Sequence, residues 1–337
     1  MFLARCSAAI AGGLFLAPIL LAQPPRMLAP EEYSRWEQLA AQRSPLSPDG
    51  KWLVYGINRA SRQNELRVQP STGGNAVTIA FGEQPAFSDD SRWLAALVGM
   101  SEENEAKLRK DKKPIRKKLA IVDLNAGSVT NVDAIESFSF SATGTHLAMR
   151  HYAPETPTPP EPAPGTEPAP KGTTLVVREL STGRDTTFGS VSELAWQHRG
   201  PLLAFAVTVD GAGNSVQLFD PAAGTLRTLD SSPSFYAGLA WRRESASLAV
   251  LKSSTDDGRE GPAFSVLAWP DVASAPATRH ELASRDAVLG PDLRVVRFRA
   301  PQWSEDGARL YVGVARWRLK PAAPDASTRT RRVAAAS

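Results

Sequence analysis

The sequence predicts an all-β protein of about six four-stranded units, and three observations carry that expectation. A tight turn followed by a short apolar strand recurs along the chain, a second strand ending in a glycine turn recurs between the copies, and the spacing is roughly 40 residues, stretched by insertions. Units of this size, each burying its faces only against its neighbours, form a β-propeller, here with the last blade incomplete.

The chain opens with Arg5 ahead of an almost wholly apolar or small run from Cys6 to Leu21, which Gln23-Pro24-Pro25 breaks. Residues 1–22 therefore read as a cleavable secretory signal, since the run falls short of the roughly 20 residues that span a bilayer. A periplasmic or extracellular location follows, with membrane attachment only through an uncleaved signal. Cys6, the single cysteine, leaves with the signal, so no disulfide or thiol chemistry is expected in the mature chain. Pro30-Glu31-Glu32-Tyr33 through Leu39 has the proline and acids of a helix start, and a short lead-in helix is expected there.

The propeller is expected over residues 30–315. Its first turn, Ser47-Pro48-Asp49-Gly50, places proline where a type I turn fixes φ and glycine where the chain leaves with positive φ. Trp52-Leu53-Val54-Tyr55 follows as a strand rich in aromatic and β-branched residues. The same rhythm returns at Phe87–Ala95, Phe140–Ala148, Trp196–Phe205, Trp241–Leu251 and Trp303–Val312. Phe87, Phe140, Trp196, Trp241 and Trp303, each just before a turn, are expected in the core between blades. Leu66–Gly74, Leu119–Gly127, Leu175–Gly183 and Val216–Gly224 each read as a third strand with a glycine turn after it.

Two insertions interrupt the repeat, at 101–118 and 153–171. Glu102–Lys118 holds eight Lys or Arg against four Asp or Glu, an excess equal to the whole-chain formal charge of +4. Without interleaved aromatics this run reads as a solvated loop, and no nucleic-acid partner is expected. Pro154–Pro170 is too rich in proline and polar residues to pack. Residues 316–337, with Pro321-Ala322-Ala323-Pro324 and Arg329-Thr330-Arg331-Arg332, read as a disordered low-complexity tail.

Chemistry-bearing constellations are sparse. An α/β-hydrolase serine stands in a Gly-x-Ser-x-Gly elbow, and Gly189-Ser190-Val191-Ser192-Glu193 falls short of that pattern, with valine at the nucleophile's place and no closing glycine. His146 and His198 fall at turns, His151 ends a strand and His280 sits in a loop, each read as structural or solvated. Asp49, Asp89, Asp90 and Asp306 are expected to serve their hairpins. No catalytic residue, cofactor or metal site is expected. Glu102-Glu103, an acidic pair, lies inside the charged insertion and receives no role.

The Ser-Pro-Asp-Gly-Lys-Trp-Leu-Val-Tyr repeat resembles the propeller repeat shared by TolB-like periplasmic proteins and the N-terminal domain of prolyl oligopeptidase family serine peptidases. Glu31-Glu32-Tyr33-Ser34-Arg35-Trp36-Glu37-Gln38-Leu39, running directly into the first blade after a signal, is more similar to the exported peptidases. That resemblance, which covers about residues 30 to 315, implies the non-catalytic propeller of a secreted peptidase, separated from its hydrolase domain. Its implied partners are an α/β-hydrolase peptidase domain and short peptide substrates. The alternative is a free-standing TolB-like interaction propeller with an envelope protein as partner.

Overall fold

The computed structural model describes residues 36–154, 169–209, 213–255, 258–274 and 276–320. Antiparallel strands follow one another up and down in chain order. Blade one is β1 (Glu37–Ala40), β2 (Trp52–Arg59), β3 (Glu65–Pro70) and β4 (Val77–Ala80). Blade two is β5 (Gly82–Phe87), β6 (Trp93–Val98), β7 (Lys118–Asp123) and β8 (Ser128–Val132), with helix α1 (Glu102–Lys110) between its second and third strands. Blade three is β9 (Ile135–Phe140), β10 (His146–His151), β11 (Thr173–Glu179) and the first half of β12 (Asp185–Trp196). Past a register shift the second half of β12 opens blade four, which continues with β13 (Leu203–Val207), β14 (Asn214–Asp220) and β15 (Thr225–Ser232).

Blade five is β16 (Tyr236–Trp241), β17 (Leu248–Ser254), β18 (Ala263–Trp269) and β19 (His280–Leu282). Blade six has β20 (Leu293–Val296), β21 (Gln302–Trp303), β22 (Leu310–Tyr311) and β23 (Gly313–Arg316). There β20 pairs with β23 and β21 with β22, so the blade is one interrupted pair of strands. The all-β propeller with an incomplete sixth blade is as the repeats predict.

The period of two along each strand builds the core. In β6, Leu94 and Ala96 join the cluster shared with blade one, while Ala95 and Leu97 join the one shared with blade three. In β13, Leu203 and Phe205 face blade three, whereas Ala204 and Ala206 face blade five. Each fully buried Leu or Phe in these layers contributes about 2–3 kcal/mol. Five such clusters link consecutive blades, and among the described residues none joins blade six to blade one.

Blade one's outer face differs in kind. Where inner faces carry Leu, Ile and Val, it carries Arg59, Glu65, Arg67 and Glu37 in an ion-pair network, with the Tyr55 hydroxyl donating to Gln69 at 3.2 Å. Arg59 grips Glu65 through two nitrogens at 2.9 and 3.0 Å and holds its carboxyl below the usual range. A polar outer face is the cap that a terminal repeat needs.

The turns follow their local chemistry. Ser47 donates to Asp49 at 2.7 Å and accepts from the Trp52 N–H, and Ser88 with Asp90 and Ser304 with Asp306 repeat both bonds. Asp90, not Asp89, thus makes the turn bonds of blade two. The Ser47 hydroxyl and the Lys51 N–H bring the Asp49 carboxyl down to about 2. Gly50 leaves its turn at φ +71°, and Ser91 and Glu244 adopt the same left-handed conformation without glycine's freedom.

Three expectations are corrected. The lead-in helix is not formed over Glu37–Ala40, which is strand β1, paired antiparallel with β2 as Leu39 faces Ile57; the rest of that segment lies outside the described residues. The charged insertion is not simply a loop. Ser101 caps α1 by accepting from the Asn104 N–H, acids fill the first turn and bases the last, the charge order a helix dipole favours. His280 begins β19, opposite Ala268, rather than lying in a loop. Most of the proline-rich insertion and the tail beyond Lys320 lie outside the described residues.

Candidate functional site

The aromatic residues before the turns lock the inner strands together. Trp196 Nε1 donates to the Ser139 carbonyl at 3.2 Å, Trp241 Nε1 to Ala195 at 2.9 Å and Trp303 Nε1 to Ala240 at 3.2 Å. Each indole therefore reaches the inner strand of the preceding blade. These residues form an inner wall of packed blade junctions, and Phe87 and Phe140 pack at the corresponding places in blades two and three.

Charged side chains converge on that wall. Glu193, in the β12 segment that opens blade four, has each carboxylate oxygen bound by a backbone N–H of blade five, Gly238 at 2.7 Å and Leu239 at 2.8 Å. Those two N–H groups are free to point at it because Gly238, at φ +73°, makes a bulge that shifts the register of β16 against β17. Burial pushes the Glu193 carboxyl above its usual range, while the two N–H bonds and the charges of Arg150 and Arg297 pull the other way. Arg150 belongs to blade three and Arg297 to blade six.

Arg150 Nε donates to Thr173 Oγ1 at 3.0 Å and lies 3.9 Å from Glu136 Oε2. The Arg297 guanidinium stands 5.6 Å over the Phe235 ring. On the blade-two side Lys117 pairs with Glu83. The cluster lies toward the side from which both insertions leave, since each connects the second and third strands of its blade. With both oxygens bound by blade-five N–H groups, the half-buried Glu193 carboxylate ties the first strand of blade four to that of blade five.

A second concavity of about 850 Å³ opens between the blade-five turn and blade six, walled by Trp241, Arg242, Pro301, Trp303 and Tyr311. Arg242 crosses it to donate to the Glu305 carbonyl at 2.9 Å, which makes this cleft a joint between turns.

The other residues singled out from the sequence stay apart. Ser192 is buried and donates to the Ala206 carbonyl while accepting from Thr208, with no histidine in that network. His146 is buried, its Nδ1 2.9 Å from Thr145 Oγ1, and burial lowers its pKa. Glu102 pairs with Arg62 on the surface of α1. Among the described residues no group of three or more His, Cys, Asp or Glu could hold a metal, and no helix is long and apolar enough to cross a membrane. Glu193 was legible only as the last residue of a failed serine elbow; its partners arrive from 45 and 46 residues away.

No family model and no curated protein matches the sequence. Among solved structures, the β-propeller domain of the Trilobed protease from Pyrococcus furiosus, described as having an open velcro topology, is 12% identical with a TM-score of 0.40, over 71% of this chain and 69% of that one. A prolyl endopeptidase is 14% identical with a TM-score of 0.41, over 83% of this chain but 39% of its own length. TolB from Acinetobacter baumannii is 12% identical with a TM-score of 0.30, over 74% and 55%. Likenesses with TM-scores below 0.5 carry no argument, and the fold class rests on the six blades themselves.

Proposed function

We propose that this chain is a non-catalytic propeller that admits or positions peptide chains for a hydrolase domain lying outside this sequence. The observation that carries the reading is the succession of six blades whose first strands are tied by inter-blade tryptophan bonds, with half-buried Glu193 on one of them under the charges of Arg150 and Arg297. A channel so lined suits an extended polypeptide, whose amide groups and termini need both donors and acceptors. The sequence pairs this with no Gly-x-Ser-x-Gly elbow. In this reading the protein is exported, through the segment at residues 1–22.

Peptide hydrolysis by a serine triad needs nucleophile, base and oxyanion hole together, and loss of the nucleophile alone lowers turnover by on the order of a millionfold. The purified chain is therefore expected neither to hydrolyse proline-containing chromogenic peptides nor to react with a fluorophosphonate serine probe. Saturable labelling of one serine, abolished by mutating it, would overturn the reading. The hydrolase partner is tested separately by reading the genomic DNA beyond Ser337 in all three frames. A Gly-x-Ser-x-Gly segment followed by acid and histidine supports it, and an unrelated gene there supports a free-standing interaction propeller instead.

A further inference from the structure

Blade six presents an edge. Trp317 N–H donates to the Asp292 carbonyl at 2.8 Å and the Arg309 carbonyl accepts from Ser304 N–H at 2.9 Å, so the odd-numbered residues of this strand turn their backbone groups inward. Leu310, Val312, Val314 and Arg316 consequently direct theirs to the opposite side, where no strand lies among the described residues. Farther along the same side a partner is in place. Glu260 N–H donates to the Arg318 carbonyl at 2.9 Å, Lys320 N–H donates to the Gly258 carbonyl at 3.0 Å, and Arg259 and Leu319 form an antiparallel bridge. The edge thus already takes an antiparallel chain at one end and is open over the remainder. The open part, Leu310-Tyr311-Val312-Gly313-Val314-Ala315, is apolar and contains no proline, the composition that favours strand addition.

Charge selects what can dock. Arg309, Arg316, Arg318 and Lys320 are exposed, and none enters an ion pair among the described residues. At the Arg309 end, Glu305 and Asp306 offset the charge, so the excess lies at Arg316–Lys320. Residues 321–337 carry Arg329, Arg331 and Arg332 against the single acid Asp325, and so are repelled by that excess. We propose that the edge Leu310–Arg316 docks an extended acidic peptide segment as an added antiparallel strand, its acidic residues in the N-terminal half beside Arg316 and Arg318. This site is separate from the channel and goes beyond the function proposed above.

The test is fluorescence anisotropy with the full chain and a labelled peptide, Asp-Glu-Val-Thr-Val-Thr-Val, against its analogue beginning Lys-Lys. The acidic peptide is expected to bind about tenfold or more tightly than the basic one, less so as salt is raised. Arg316→Glu should reverse that preference without disturbing the fold. Val314→Pro, which removes an outward N–H, should abolish binding of both peptides, with far-UV circular dichroism confirming the blades. Absence of binding, equal binding of the two peptides, or an unchanged preference in Arg316→Glu would overturn the proposal. So would a dimer formed through this edge in sedimentation, or binding that appears only after residues 321–337 are removed.

Discussion

Replacing Trp241 by Phe tests the inner-strand lock where it is best buried. Trp241 is 7% exposed, and its indole N–H reaches the Ala195 carbonyl of the preceding blade at 2.9 Å. The substitution removes one bond from that carbonyl, which keeps its ladder pairing with Ala204, at about 1 kcal/mol. It also removes the pyrrole portion of the ring from the cluster of blades four and five, at about 1–2 kcal/mol for lost burial and the space left behind. The expected loss is about 2–3 kcal/mol, a large share of the 5–15 kcal/mol that a domain typically holds. Urea unfolding followed by far-UV circular dichroism should show a lower midpoint with an unchanged slope. Trp303→Phe, at a half-buried site in the incomplete blade, should cost less. A shift below about 0.5 kcal/mol for Trp241→Phe, or a larger one for Trp303→Phe, would refute the view that these indoles tie blade to blade.

The Glu193 carboxyl is pushed up in the fold, so between its unfolded and folded pKa the folded protein binds more protons than the unfolded chain. Stability contributed by this group should therefore fall as pH rises from the ordinary carboxylate range, and Glu193→Gln should flatten that part of a pH series of thermal midpoints; parallel curves would contradict the assignment. Limited trypsin digestion should cut first at Lys110 or Lys112, in the exposed segment between α1 and β7, with the Lys113–Pro114 bond resistant, and an early cut at Lys252 inside β17 would tell against the blade assignment.

The turns were legible because their chemistry is local. Serine, aspartate and glycine within four residues make the bonds seen at Ser47, Ser88 and Ser304, and the strands that follow inherit their positions. The lead-in segment misled for the opposite reason. Glu37-Gln38-Leu39 has helical propensity, but pairing with β2 supplies backbone bonds that a short helix outside a core could not match. Helix α1 carried a readable cap at Ser101 and ordered charges, yet its lysines dominated the composition. The strands of blade five after β17 were missed because no turn of the repeated kind precedes them. The setting of Glu193 could not be read at all, since it depends on a bulge at Gly238 and on backbone groups 45 and 46 residues away.

The ion-paired outer face of blade one has a consequence for how copies of this protein meet. Head-to-tail association would set the free side of blade six against blade one of the next molecule, a heterologous contact that need not close and so can grow into a fibre. Such growth would have to take Arg59, Glu65, Arg67 and Glu37 out of water as a layer, where the hydration lost is poorly compensated by an unpaired apolar neighbour. The ion-paired face of blade one therefore disfavours the stacking of a further blade against it, and growth by face-to-face stacking would stop there.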